Sequence, residues 1–125
     1  AKECTELNEA WNHWIVTGFP LVIAKAGMSL DGRIASPPGR RWITSPTSRS
    51  DAMKLRAKCD AILVGGETVR VDNPKLTIRG IPGSRQPLRV VWTKSGNVPK
   101  NAFLFTDAFR HRTRVFQGRS LKACL

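Results

Sequence analysis

At 125 residues with 41% hydrophobic side chains, the chain has the length of one domain and enough apolar material for a core. Its longest apolar stretches, Leu21-Val22-Ile23-Ala24 and Ala61-Ile62-Leu63-Val64, are far too short to cross a bilayer, and no secretory signal opens the chain. A formal net charge of +12 favours anionic partners (nucleic acid, anionic membrane or phosphorylated small molecules) without choosing among them. Cys4, Cys59 and Cys124 lack metal-ligand spacing and are odd in number, so they read as reduced thiols of a cytoplasmic protein. The first residue is Ala rather than Met, which leaves a removed targeting segment open.

Residues 1–18 are predicted to be helical: Leu7, Ala10, Trp11 and Trp14 recur at helical spacing, and Glu3, Glu6 and Glu9 lie toward the positive end of the helix dipole. Trp11 and Trp14 read as a packing stripe against the domain that follows, and Gly18 and Pro20 stop the helix. Leu21–Ala26, apolar apart from Lys25, is predicted as a buried strand, followed by a loop over residues 27–39. Ser45-Pro46 starts a second helix, with Ser as N-cap, Pro at the first helical position, and Ala52, Leu55 and Cys59 on its apolar face. Asp60 ends that helix, and Ala61–Val64 follows as a buried strand leaving through Gly65-Gly66. Residues 80–87 form a turn-rich connection, Arg89–Thr93 a third strand, Ala102–Thr106 a short fourth and Thr113–Gln117 a fifth. Strands alternating with helices predict an α/β fold with a mostly parallel sheet and flanking helices. The pattern has no finishing edge strand or capping helix before Leu125 and reads as the N-terminal part of a domain.

Ligands of α/β sheets gather at the carboxyl ends of strands. There the first strand would deliver Lys25, Gly27, Ser29 and Asp31, and the second Gly65, Gly66, Thr68 and Asp72. The helix start at Ser45 offers free N–H groups to an anion. Neither a G-x-G-x-x-G fingerprint nor a phosphate-loop motif is present. His13 and His111 stand apart, each read as a surface or packing residue, and no metal site is expected.

Order and spacing say more than any of these signals singly. The segments Lys25-Ala-Gly-Met-Ser-Leu-Asp-Gly-Arg-Ile-Ala35, Trp42-Ile-Thr-Ser45, Leu55-Arg56, Ile62-Leu-Val-Gly-Gly-Glu-Thr-Val69 and Asp72-Asn-Pro-Lys-Leu-Thr-Ile-Arg79 run nearly collinear with one family. They resemble the reductase domain of the bifunctional deaminase–reductase of riboflavin biosynthesis, which has a dihydrofolate-reductase-like fold. Glu3-Cys4, Leu7-Asn8 and Trp14 before Gly18-Phe19-Pro20 resemble the tail joining the deaminase to the reductase, so residues 1–18 are assigned to that linker and 19–125 to the N-terminal part of the reductase domain. The deaminase zinc motif is absent from this chain, so zinc would belong only to a deaminase domain outside it.

The resemblance implies NADP(H) as cofactor, and hydride transfer to C1′ of the phosphorylated substrate 5-amino-6-(5-phosphoribosylamino)uracil, giving its ribityl form. The sugar ring must open first, which needs a proton donor near its oxygen. Lys25 matches the active-site lysine of the family, and a lone Lys in an apolar strand costs free energy that a function would justify. Asp72 is carried over as a catalytic and cofactor-contacting residue, with Gly27, Trp42 and Thr68 as further cofactor contacts. Bland readings stand beside them: a snorkelling Lys25, an Asx turn at Asp72 and a core Trp42. Arg56, Leu76 and Arg79 match substrate contacts, arginine being the natural bidentate partner of a phosphate. Arg40 is a fourth substrate candidate, though it stands where the family has a small polar residue, after a shorter loop at Pro37-Pro38-Gly39. Thr93-Lys94-Ser95 replaces an acid–Ser pair and receives no role.

The charge and the cluster Arg110, His111, Arg112, Arg114, Arg119 and Lys122 raise a rival reading as a nucleic-acid-binding module. The cluster lacks interleaved aromatics and any nucleic-acid motif, so no specific nucleic acid and no membrane partner are expected. A different reductase of the same fold is the other rival, disfavoured by the phosphate-directed arginines. The resemblance further implies a homodimer formed through the reductase domain. A substrate-site Glu and a Gly-rich pyrophosphate loop would lie past Leu125, so this chain by itself is expected to be inactive.

Overall fold

The computed structural model describes residues 2–35 and 42–118. Arg40, Pro37–Gly39, Arg119, Lys122 and Cys124 lie outside the described residues. The chain divides into two compact units, Ala1–Thr44 and Ser45–Leu125.

In the first unit the expected helix forms as two pieces, α1 (Lys2–Leu7) and α2 (Glu9–Thr17). The break falls at Asn8, whose side-chain amide donates to the Cys4 carbonyl at 2.9 Å. A side chain that competes for a backbone carbonyl in this way weakens helix continuation. Gly18 closes α2 in the left-handed conformation (φ 71°), donating its N–H to Trp14 O at 2.8 Å. That is the C-terminal stop glycine performs without Cβ strain. The Trp11 and Trp14 rings are both more than half exposed and stack at a tilt on one another, with centroids 5.9 Å apart.

The predicted strand Leu21–Ala26 is not a strand. The segment is irregular, joins no ladder of the sheet, and leaves Val22 81% exposed. An apolar run records a demand for burial, but a strand also needs a partner backbone, which local sequence does not specify. Over residues 27–35 the following loop is as predicted and is tied by its own polar groups. Gly32 takes φ 81°, Ser29 donates through its hydroxyl to Asp31, and Asp31 pairs with Arg33 Nε at 3.0 Å.

The second unit holds the sheet. Helix α3 (Pro46–Ala57) starts as expected, with Ser45 Oγ accepting from the Ser48 N–H at 3.1 Å and Pro46 at the first position. Three strands, β1 (Ala61–Gly65), β2 (Leu88–Thr93) and β3 (Thr113–Gln117), form an all-parallel sheet in the order β1-β2-β3. Register aligns Val64 with Val91, and Val91 with Val115. β2 is central, and alternate residues Arg89, Val91 and Thr93 are buried. β1 is an edge strand rather than a buried one, with Leu63 62% exposed.

Two further elements depart from expectation. Gly65-Gly66 does not open a loop: Gly65 caps and Gly66 begins helix α4 (Gly66–Asp72), too short to display the repeat by which helices are recognised. Residues 102–106 form no strand but contain helix α5 (Phe103–Thr106), whose first N–H is taken by Asn73 Oδ1 at 2.9 Å. Ala102 and Leu104 point into the core on either side of exposed Phe103, a spacing that mimics strand alternation. The core comprises Val69, Leu76, Val91, Ala102 and Leu104, with Ile62, Val64, Val98 and Phe105 packed on it.

Candidate active site

The expected site residues fall in both units. In the first, Lys25 is exposed rather than held inside a strand. Its ammonium curls back toward Gly27: a Cβ built on Gly27 would lie 3.9 Å from Lys25 Nζ and 3.0 Å from the Thr44 methyl. Glycine therefore leaves room for the Thr44 methyl against this backbone, while Lys25 would tolerate a Cβ. Trp42 is also more than half exposed, so the core reading of its ring does not hold.

In the second unit, the carboxyl end of β1 runs straight into α4. A Cβ on Gly66 would sit 2.9 Å from Thr93 Cβ, so only glycine fits between the ends of β1 and β2, whereas Gly65 faces open space. Thr68 and Asp72 follow at i and i+4 and share one face of α4. Asp72 is exposed and Thr68 half-buried, while Val69 anchors the helix in the core. Asp72 is carried about 9 Å along the helix, away from the strand ends where it was expected. Asn73 closes α4 in the left-handed conformation (φ 41°), and with Pro74 it turns the chain into residues 75–79.

In that stretch Leu76, Thr77 and Ile78 are buried, while Lys75 and Arg79 are exposed. Leu76, expected beside the substrate, turns its side chain into the core and holds a left-handed backbone (φ 51°) rare for a branched side chain. Gln86 replaces a neighbouring strand: its amide accepts from Ile78 N–H at 2.9 Å and donates to Ile78 O at 3.1 Å. Arg56, at the last turn of α3, donates to Thr77 O at 3.1 Å. Its pKa lies below the ordinary arginine value, through burial first and then repulsion from Arg79, with Cys59 acting the other way. Two guanidinium groups from separate elements are thus drawn together, an arrangement that an anion would relieve.

One buried group was missed by sequence reasoning. Arg89 is 1% exposed, yet it pairs with Asp107 through both nitrogens, Nη1 to Oδ2 at 2.7 Å and Nη2 to Oδ1 at 2.9 Å. It also donates to Lys75 O at 3.0 Å and Leu104 O at 2.9 Å. The Arg89 guanidinium holds the Asp107 carboxyl below the usual carboxylate range; burial opposes this, and the Phe109 N–H and Lys75 assist. Arg89 ties residues 75–79 to residues 103–109, and between them lies a cleft of about 540 Å³.

Among the described residues no group of three His, Cys, Asp or Glu side chains is placed to hold a metal, and no helix is long and apolar enough to cross a membrane.

A parallel α/β sheet flanked by helices, with glycines opening one strand end and arginines gathered beside the sheet, defines a domain of the dihydrofolate-reductase-like class. The RibD C-terminal domain family matches residues 20–119, and the chain belongs to that family. The riboflavin biosynthesis protein RibD of Bacillus amyloliquefaciens is 42% identical over 107 residues, which are 85% of this chain and 29% of that protein. The chloroplastic riboflavin biosynthesis protein PYRR of Arabidopsis thaliana is 40% identical over 105 residues, 83% of this chain and 17% of that protein. The solved RibD of Acinetobacter baumannii superposes with a TM-score of 0.79 at 29% identity, covering 94% of this chain and 34% of that one. A diaminohydroxyphosphoribosylaminopyrimidine deaminase/5-amino-6-(5-phosphoribosylamino)uracil reductase from Thermotoga maritima gives 0.77 at 32% identity, covering 93% and 32%. The chain therefore spans less than a third of the length of these curated relatives.

Proposed function

We propose that this chain supplies one wall of an NADPH-dependent 5-amino-6-(5-phosphoribosylamino)uracil reductase acting in riboflavin biosynthesis. The observation that carries the reading is the family match over residues 20–119, which contains every candidate residue. Electrostatics supports it, since Arg56 and Arg79 are close enough to repel and a substrate phosphate would neutralise both.

The residues suit a nicotinamide cofactor. Gly65 leaves backbone open at the strand end, and Thr68 and Asp72 offer a hydroxyl and a carboxylate on one helix face for hydroxyl and amide groups. When bound, NADPH supplies the hydride. Lys25 holds a proton donor beside Gly27 for the sugar oxygen as the ring opens, and Arg79 with Arg56 fixes the phosphate end of the substrate. Trp42 completes the cofactor contacts, and Leu76 positions Lys75 and Thr77 through its buried side chain.

We place residues 1–18 ahead of the reductase domain, as the tail of a deaminase domain that would hold the zinc; the family match beginning at residue 20 supports that boundary. The working enzyme is a cytoplasmic homodimer joined through its reductase domain.

The test uses the Bacillus amyloliquefaciens RibD with this chain in place of its matching segment. Arg79→Gln is expected to raise KM for the phosphorylated substrate about tenfold and leave kcat within about twofold, as loss of a charge-assisted hydrogen bond made in both ground and transition states. An unchanged KM would remove Arg79 from the site.

The basic turn at Arg110–Arg112 and the neighbouring Arg114 give the nucleic-acid reading its expected outcome. Retention on DNA should be weak, indifferent to sequence and abolished by moderate salt. Salt-resistant binding to one oligonucleotide would favour the rival.

A further inference from the structure

Residues 75–79 bring Arg79 to the cleft without belonging to the sheet, so no ladder satisfies their backbone groups. Thr77 and Ile78 are buried, and buried peptide groups need hydrogen bonds from elsewhere. Two side chains supply them. Arg56 donates to Thr77 O at 3.1 Å. Gln86 does more: its Oε1 accepts from the Ile78 N–H at 2.9 Å, and its Nε2 donates to Ile78 O at 3.1 Å. One amide thus engages both backbone groups of the residue before Arg79, the pair of bonds that a neighbouring strand would make. Gln86 is itself held. Pro87 confines it to extended backbone, Arg85 before it pairs with Asp60, and the Leu88 N–H donates to Asp60 O at 2.8 Å as β2 comes alongside β1. Between Arg79 and Gln86 the chain makes a turn-rich excursion, and the Gln86 bonds close it at its base. Arg79 is exposed, so its direction depends on the backbone that carries it rather than on packing.

We propose that Gln86 is a positioning residue for Arg79: its amide fixes the backbone of Ile78, and with it the direction in which the Arg79 guanidinium enters the cleft. The proposal rests on the reading of Arg79 as a substrate contact. Gln86 acts only through that backbone. Its loss should lower the fraction of molecules that hold the guanidinium in place, and apparent affinity falls in proportion to that fraction. Once substrate is bound the arrangement is the same, so turnover of the complex should change little.

The experiment is steady-state kinetics of the Bacillus amyloliquefaciens RibD in which this chain replaces its matching segment, with each variant first shown to melt cooperatively. Gln86→Met, similar in length but without the two bonds, is expected to raise KM for the phosphorylated substrate about fivefold. Its kcat should stay within about twofold and its KM for NADPH unchanged, with Gln86→Leu behaving alike. In an Arg79→Gln background, Gln86→Met should change KM by less than about twofold, because the group it orients is gone. Ser84→Ala, in the same connection, should leave every parameter as it was. A merely structural role would lower melting temperature and active fraction, and its effect would survive the loss of Arg79. The proposal is overturned if both Gln86 variants keep the parent KM, if they lose kcat instead, or if neither melts cooperatively. It is equally overturned if Ser84→Ala gives a like rise, or if the fivefold factor persists in full on top of Arg79→Gln. Any of these results, together with the expected KM effect of Arg79→Gln, would remove Gln86 and leave the reductase reading standing. An Arg79→Gln enzyme with unchanged KM would instead overturn the reading of Arg79, and the proposal with it.

Discussion

Replacing Arg89 by alanine is expected to destabilise the unit formed by residues 45–118 by about 3–5 kcal/mol, the usual cost of breaking a buried ion pair by removing one partner. Three acceptors lose hydrogen bonds at once, the Asp107 carboxylate and the carbonyls of Lys75 and Leu104, although Phe109 N–H still donates to Asp107 and Thr113 Oγ1 to Leu104 O. Those groups lie on the two segments that close over β2, so their separation should open the core around Leu76 and Leu104. Urea denaturation measures the effect. An Arg89→Met/Asp107→Leu double variant should recover much of the loss, because apolar replacement of both partners removes the unpaired charge. A single-variant loss below about 1 kcal/mol would mean that water satisfies these groups as well as Arg89 does.

The same pair gives the unit a pH dependence of definite sign. Arg89 holds the folded Asp107 carboxyl below its ordinary value, so the folded state keeps the charge to lower pH than the unfolded chain does. The stabilisation is complete above the unfolded value of about 3.9 and is lost as pH falls through the depressed folded value. The parent should therefore lose stability on acidification more steeply than Asp107→Asn.

Lys25→Gln is expected to have the largest effect on turnover. As the proton donor to the sugar oxygen, Lys25 should contribute about 10²–10⁴-fold to kcat, the range typical of a positioned general acid. The variant, made in the RibD that carries this chain, should keep its melting temperature, because Lys25 is exposed and no core contact depends on it. Single-turnover kinetics separates this from slow product release. A kcat within about threefold of the parent would assign the proton to another group.

A lone cation in an apolar run marks two residues of this chain, Lys25 and Arg89. Lys25 is expected inside a strand and is exposed; the same reasoning fits Arg89, the charged residue inside β2. What separates them is the partner. Asp107 lies far along the chain, and only the fold brings it to Arg89. Caps and strands with local signals were legible: Ser45-Pro46, Gly18, and the apolar runs of β1, β2 and β3. Helix α4 was hidden because Gly65-Gly66 reads as a breaker pair, while Gly66 is in fact demanded by the packing of Thr93. Leu21–Ala26 reads as a strand by composition, yet pairing is a non-local property. The order of the family's segments was legible from end to end. Their placement was not, since the turn at Asn73-Pro74 sends Leu76 inward and leaves Arg79 in the cleft.

The most direct test is NADPH oxidation by the Bacillus amyloliquefaciens RibD in which this chain replaces its matching segment, with the protein first shown to melt cooperatively. The account predicts oxidation with 5-amino-6-(5-phosphoribosylamino)uracil and none above background with dihydrofolate. A folded protein that leaves NADPH untouched with the phosphorylated substrate, or oxidises it with dihydrofolate instead, would contradict it.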